Sequence, residues 1–177
     1  LQNSTTNLSP EDKTSVDHAV TASRSLLKLI GEILDLEKIE SGLQEVMPKW
    51  VHVDAILKEK VLLFTALAAQ KGIGLRYDSH LDPKEAMQLD PQMLGQVLMN
   101  LIGNAVKFTH HGHVQVSAKK LNHTLVISVN DTGPGISGEE QKSLFMPFSQ
   151  GKMGEFHRGS GLGLAITKAL MKQMGGT

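Results

Sequence analysis

Residues 90–109, DPQMLGQVLMNLIGNAVKFT, constrain the fold more than any other stretch of this chain. Leu94, Val97, Leu98, Leu101, Ile102 and Val106 recur at spacings of three and four, which predicts an amphipathic helix with one stripe in a core. Asn100 and Asn104 stand one turn apart on that helix, so both amides share a face, and Lys107 follows them. Asparagine is a poor helix former, so a pair in mid-helix is either exposed polar surface or has a task. A magnesium–phosphate ligand would give it one. The Asn104 amide oxygen suits a hard cation that takes few protein ligands and keeps waters and phosphate oxygens. Asn100 would reach the same ion or its waters, and Lys107 a phosphate. Taken singly, each residue is equally open to the reading of a solvated polar side chain.

Two glycine clusters follow. In DTGPG, 131–135, Asp131 ends a predicted strand, where its carboxylate can accept a hydrogen bond from an exocyclic amine. Gly133 and Gly135 allow close backbone approach or positive φ, although Asp, Gly and Pro also make ordinary turns. In GSGLG, 159–163, the glycines Gly159, Gly161 and Gly163 precede a last helix, whose leading N–H groups and dipole favour phosphate. No acidic residue follows in a βαβ unit, so this is not the dinucleotide fingerprint, and the Walker ending is missing. Residues 150–158 are polar and glycine-punctuated, a pattern that suits a lid, with Lys152 and Arg158 either near phosphates or simply solvated. Phe145 and Phe148 read most simply as core residues anchoring its base. His110, His111 and His113 read as a turn with exposed histidines rather than a metal set, and His18 as an ordinary helical residue.

With 177 residues, 40% of them hydrophobic, the chain can bury one compact core and carry some extra structure. Eighteen basic residues balance 18 acidic ones, which argues against a nucleic-acid binder. There is no cysteine, hence no disulfide or thiolate metal site, and no signal peptide or run long enough to span a bilayer. Residues 1–12 read as a loop. A helix is predicted over 13–41, with a heptad-like seam of Val20, Ser23, Leu27, Ile30 and Leu34, widened by Leu26 and Ile33. Such a helix needs a partner, most economically a second copy of itself, and Gly42 ends it. Strands are predicted at 50–53, 72–78 and 86–89, with a helix capped by Asp54 running to about Gln70. A hairpin of 114–119 with 125–130 turns at 121–124, a short helix begins at Ser137, and a final helix spans 160–174. This order is α+β, with helices on one face of a mixed sheet.

The succession NLIGNAVKFT, DTGPGI, LFMPFSQ and GSGLGLAI resembles the N, G1, F and G2 boxes of the catalytic ATP-binding domain of sensor histidine kinases. That fold is shared with gyrase, Hsp90 and MutL. The resemblance covers 48–177. Upstream, SLLKLIGEILDLEKIESG is similar to the second helix of the dimerisation and phosphoacceptor domain, in wording most like bacterial hybrid phosphorelay sensors. It implies a two-layer α/β sandwich of the Bergerat (GHKL) type behind a long dimerisation helix, with a partial phosphoacceptor domain at 13–45. The implied ligands are ATP and Mg2+. Asn104 would ligate the metal, Asn100 would hold the ion or the reacting phosphate, and Lys107 would contact phosphates. Phe108 would line the nucleotide, Asp131 would bind the adenine amine, and Gly133 and Gly135 would shape that side of the pocket. Gly159, Gly161 and Gly163 would wrap the phosphates, and Ile136, Phe148, Arg158, Ser160, Leu162 and Leu164 would complete the contacts.

The implied partners are a second copy through the N-terminal helix, a phosphoacceptor histidine helix and a response-regulator receiver domain. No nucleic acid is expected, and a membrane only through segments outside this sequence, as the cytoplasmic portion of an inner-membrane bacterial protein. In the superfamily's ATPases a glutamate stands at the place of Asn100 and activates water. An amide lacks that basicity, which favours transfer to a histidine over hydrolysis. The phosphoacceptor box itself is absent from the sequence, so ATP binding without autophosphorylation is expected. The family's final pair of strands is absent too, which would leave a sheet edge unpaired. A hydrolysing ATPase and a non-catalytic dimerisation module are the alternatives.

Overall fold

The helix predicted around the two asparagines forms as α3, Pro91–Phe108, in a computed structural model that describes residues 9–149 and 159–177. Asp90 starts it. Its Oδ1 accepts the backbone N–H groups of Gln92 and Met93 at 2.9 and 3.0 Å, and Pro91 sits where no N–H is needed. Oδ2 accepts the N–H of Met47 at 2.8 Å, tying the helix to the segment ahead of the first strand. Burial pushes the Asp90 carboxyl up, but the three N–H donors outweigh it and hold the group below the usual range.

The remaining elements are α1 (Pro10–Glu40), β1 (Lys49–Val51), α2 (Val53–Gln70), β2 (Gly74–Ser79), β3 (Met87–Leu89), β4 (His113–Leu121), β5 (Thr124–Asp131), α4 (Gly138–Ser143) and α5 (Gly163–Gln173). β2 pairs parallel with β4, and β4 antiparallel with β5, giving a three-stranded mixed sheet in the order β2-β4-β5. The β4–β5 hairpin turns at Asn122, whose φ of 55° is the left-handed conformation that asparagine tolerates. β1 and β3 form a separate antiparallel ribbon rather than joining this sheet.

Two cores meet on α3. In the first, Leu94, Leu98, Ile102, Ala105 and Val106 pack with α2 (Val53, Leu57, Val61, Ala68) over Val114, Val116 and Ala118 of the sheet. Strict alternation along β4 turns those three inward, as a one-sided sheet requires. In the second, Met93 and Val97 pack with Leu162, Ile166 and Leu170 around α5, and with Leu36 and Ile39 of α1. The result is the two-layer α/β arrangement expected, with an additional long helix docked beside it.

Several boundaries differ from the sequence reading. Residues 10–12, expected as loop, are the first turn of α1, because Ser9 Oγ accepts the Asp12 N–H at 3.1 Å; residues 1–8 lie outside the described ones. The seam residues Val20, Leu26, Leu27, Ile30 and Leu34 are exposed. The face that docks is carried instead by Leu36 and Ile39, with Ile33 partly buried. α5 begins at Gly163, not at residue 160. Asp54 does not cap α2: the helix starts two residues earlier, after His52, whose side chain makes no capping bond.

Asp54 lies in the first turn instead, with only 6% of its surface exposed. It pairs with Lys58 at 2.7 Å and accepts the Tyr77 hydroxyl at 2.7 Å, so it joins α2 to β2. Lys58, with help from the Ser79 and Tyr77 hydroxyls, overcomes burial and lowers the Asp54 carboxyl to about 2. Burial, with the carboxylate beside it, pushes the Tyr77 phenol up to about 12.

A carboxyl depressed in the folded state stabilises above its unfolded value, and the contribution fades as pH falls toward the folded one. Asp54→Asn is therefore expected to lower stability by about 1–2 kcal/mol at neutral pH, discounted because Lys58 is well exposed. The gap between mutant and parent should close as pH drops from about 4 toward about 2. Urea denaturation of both proteins across that window checks it.

Candidate functional site

One stripe of α3 changes character along its length. Met93 and Val97 on it are buried beneath α5 and α1. The spacing then carries the same face through Asn100, Asn104 and Lys107, where it becomes polar and only half-buried. The change falls at the N-terminus of α5. There the Asn100 Nδ2 donates to the Gly163 carbonyl at 3.1 Å and to Thr167 Oγ1 at 3.5 Å.

The glycine clusters meet the other end of this stripe. A Cβ at Gly159 would stand 2.8 Å from Lys107 Nζ, so the backbone passes against the ammonium. Lys107 Nζ also lies 4.7 Å from the centroid of the Phe108 ring, a cation–π distance. Burial lowers the Lys107 ammonium from its ordinary value, and the positive charge of Lys28 on α1 adds to that. At Gly133 a Cβ would stand 3.2 Å from the Phe108 carbonyl oxygen and 2.7 Å from Asp131 Oδ1, so a side chain there would force the turn off the end of α3. Asp131 is exposed at the end of β5, its Oδ1 accepting the Gly133 N–H at 2.8 Å. Gly161 combines a φ of +73° with backbone contact: its Cβ would lie 2.9 Å from the Phe148 carbonyl carbon.

Asn100, Lys107, Phe108, Asp131, Gly133, Gly159 and Gly163 thus form one connected set around the C-terminal half of α3. Asn104 lies between Asn100 and Lys107 on the stripe. Among the described residues, neither its side chain nor Asn100 Oδ1 has a hydrogen-bond partner. Two amide oxygens without donors suit a hard cation that brings its own waters and phosphates. No group of three His, Cys, Asp or Glu that could hold a metal occurs among the described residues. His110 and His111 are exposed.

Other expected residues fall differently. Ile136 is exposed, Gly135 takes a φ of +74° in open space, and Ser160 Oγ accepts the Leu162 N–H at 3.2 Å. Leu164 is half-buried in the first turn of α5. The Leu162 side chain is fully buried in the second core, so only its backbone is available to a ligand. Phe145 and Phe148 are not core residues: they are 44% and 60% exposed. The capped helix α4 before them buries no residue, so this segment has no apolar face to fold onto. Phe145 lies instead near Lys168 of α5, 5.7 Å from Nζ to ring centroid, and Phe148 sits at a φ of 61°. Arg158, Lys152 and the expected lid at 150–158 lie outside the described residues.

Three supporting residues escaped the sequence reading. Lys71, just past α2, donates to the carbonyls of Val106 and Lys107 at 2.6 and 2.7 Å and so satisfies the end of α3. The Thr132 hydroxyl accepts the His113 N–H at 2.9 Å and donates to the His111 carbonyl at 2.9 Å, tying the turn after β5 to the start of β4. Thr167, buried in α5, meets Asn100. Only Thr132 sits within a named motif, and all three act across sequence separations that local pattern does not register.

Residues 89–177 match the family model described as "Histidine kinase-, DNA gyrase B-, and HSP90-like ATPase". The chain is 41% identical over 167 residues to the sensor protein EvgS of Escherichia coli strain K12, covering 92% of this chain but 14% of that protein. It is 41% identical over 173 residues to the virulence sensor protein BvgS of Bordetella pertussis, covering 94% of this chain and again 14% of the relative. Among solved structures it is similar to full-length ShkA in complex with AMPPNP, at 30% identity and a TM-score of 0.84, covering 96% of this chain and 35% of that one. This chain therefore spans about a seventh of the curated relatives it matches. With half of its length on that model, and the model's region holding every member of the connected set, it belongs to the family of histidine kinase-, DNA gyrase B- and HSP90-like ATPases.

Proposed function

We propose that this chain is the ATP-binding catalytic portion, residues 48–177, of a two-component sensor histidine kinase, with residues 13–45 a part of its dimerisation and phosphoacceptor domain. The observation that carries the reading is the convergence of three separate elements on the polar half of the α3 stripe. The nucleotide would lie along it, with adenine toward Asp131, Gly133, Gly135 and Ile136, and phosphates toward Lys107, Gly159, Gly161 and the first turn of α5. The leading N–H groups of an 11-residue helix are natural phosphate donors. The chain's similarity to a protein solved with AMPPNP agrees with this assignment.

Asn104 would hold magnesium, with Asn100 beside it. Magnesium, when bound, neutralises charge on the phosphates. The chain's own residues place and screen: Lys107 offers a partly desolvated positive charge, and Asn100 offers an amide oxygen that cannot take a proton from water. That combination suits transfer of the γ-phosphoryl group to a histidine imidazole rather than hydrolysis. The acceptor histidine helix, a receiver domain of a response regulator, and a membrane-anchored bacterial parent protein complete the proposal. No helix among the described residues is long and apolar enough to cross a membrane. The exposed seam of α1 would pair with a second copy of the chain.

Two experiments test this. Calorimetry with ATP, with and without Mg2+, should show binding that magnesium strengthens. In Asn104→Ala that strengthening should fall by at least on the order of tenfold; a mutant that keeps it in full rejects the ligand role. Leu27→Asp should abolish self-association by light scattering. Because Leu27 is 69% exposed, thermal stability of the monomer should move by no more than about 0.5 kcal/mol. A parent protein that is monomeric refutes the seam.

A further inference from the structure

The assignment of Asn100 leaves open what orients its amide, since a carboxamide can present either its oxygen or its nitrogen to a ligand. On the α5 side the Asn100 amide meets two groups. The Gly163 carbonyl can only accept, and lies 3.1 Å from Nδ2. The Thr167 hydroxyl could in principle do either, but its single proton is already placed: Oγ1 donates to the same Gly163 carbonyl at 2.9 Å, one turn back along α5. Thr167 is 5% exposed, so no solvent competes for that proton. Toward Asn100 it therefore presents lone pairs, at 3.5 Å from Nδ2. Both neighbours select the same orientation. Turning the amide over would set Oδ1 against two acceptors and leave Nδ2 facing the cleft.

We infer that Thr167 is a positioning residue for the nucleotide site: its back-bonded hydroxyl locks the Asn100 amide with Nδ2 against α5 and so commits Oδ1 to the cation and phosphate side. The inference rests on the reading of Asn100 as a ligand of the metal–phosphate group. It adds that the side chain on the fifth residue of α5, which touches no ligand, joins the Gly163 carbonyl in setting which Asn100 atom meets that group. It also makes α5 more than a source of N–H donors. Its first turn supplies the Gly163 carbonyl, and its second supplies the hydroxyl that sets the polarity of that contact.

The test uses the 177-residue chain and compares Thr167→Val, which keeps the shape and loses the hydroxyl, with Thr167→Ser, which keeps the hydroxyl. The probe is a non-hydrolysable ATP analogue, titrated in Mg2+ and in EDTA. Thr167→Val is expected to lose about tenfold of the magnesium-dependent gain in affinity, with the affinity in EDTA moving less than about twofold. Thr167→Ser should recover the gain. A general packing defect would weaken both conditions alike and would not be rescued selectively.

Independently of any ligand, the Asn100 side-chain NH2 resonances, assigned by comparison with Asn100→Ala, should shift in Thr167→Val and return in Thr167→Ser. Full magnesium dependence in Thr167→Val, alongside its loss in Asn100→Ala, overturns the positioning role. If magnesium strengthens binding in neither the parent nor Asn100→Ala, the metal reading of Asn100 fails separately. The amide resonances then decide alone: unchanged signals in Thr167→Val refute the orientation argument, and shifted ones uphold it.

Discussion

Burial of α3 on two sides is the constraint from which the rest of the structure follows. Leu98, Ile102 and Val106 are sealed between α2 and the sheet, while Met93 and Val97 are sealed under α5 and α1. Fully burying side chains of this size is worth roughly 1.5–3 kcal/mol each. The helix therefore cannot rotate without exposing one core or the other. A rotation of about 100° equals one residue of sequence, so each polar side chain on α3 has its direction fixed by apolar neighbours on either side. Placement of Asn100, Asn104 and Lys107 is thus a by-product of hydrophobic packing.

This explains why the nucleotide-facing elements need so little structure of their own. The turn after β5 and the glycine run before α5 hold few buried side chains, and α4 holds none. The turn after β5 leans on the end of α3 through a backbone proximity that only glycine permits at Gly133, and the glycine run meets Lys107 at Gly159 and the Phe148 backbone at Gly161. Rigidity sits in the helix, and adaptability in the segments around it, a division that suits a site which must admit and release a charged ligand.

Much of this was legible before the structure. The three-and-four spacing in 90–109 identified α3 and its inward residues, and the β4–β5 hairpin stands where the sequence predicts it. Ser137 announced a helix start and proved a complete capping box. What stayed hidden depends on partners distant in sequence. Asp54 looks like a helix cap because its neighbours in sequence allow it; its real partner, Tyr77, lies 23 residues away on another element. Phe145 and Phe148 look like core because they are aromatic, yet the adjoining helix has no apolar face to shelter them. In α1 the heptad pattern located one apolar face, but the docked contact at Leu36 and Ile39 is too short to leave a periodic signal. At the site, the types and order of residues were readable, whereas Thr167 was not, since a hydroxyl in an amphipathic helix carries no mark of what it faces.

Lys71 reaches two terminal carbonyls at one end of α3, and Asp90 gathers three amides at the other. A rod clamped at both tips serves as a stator: when the surroundings rearrange, its coordinates supply the fixed frame. A stroke linking an occupied site to α1 then has a route in α5, which shares one core with α1 and holds Asn100 by its opening turn.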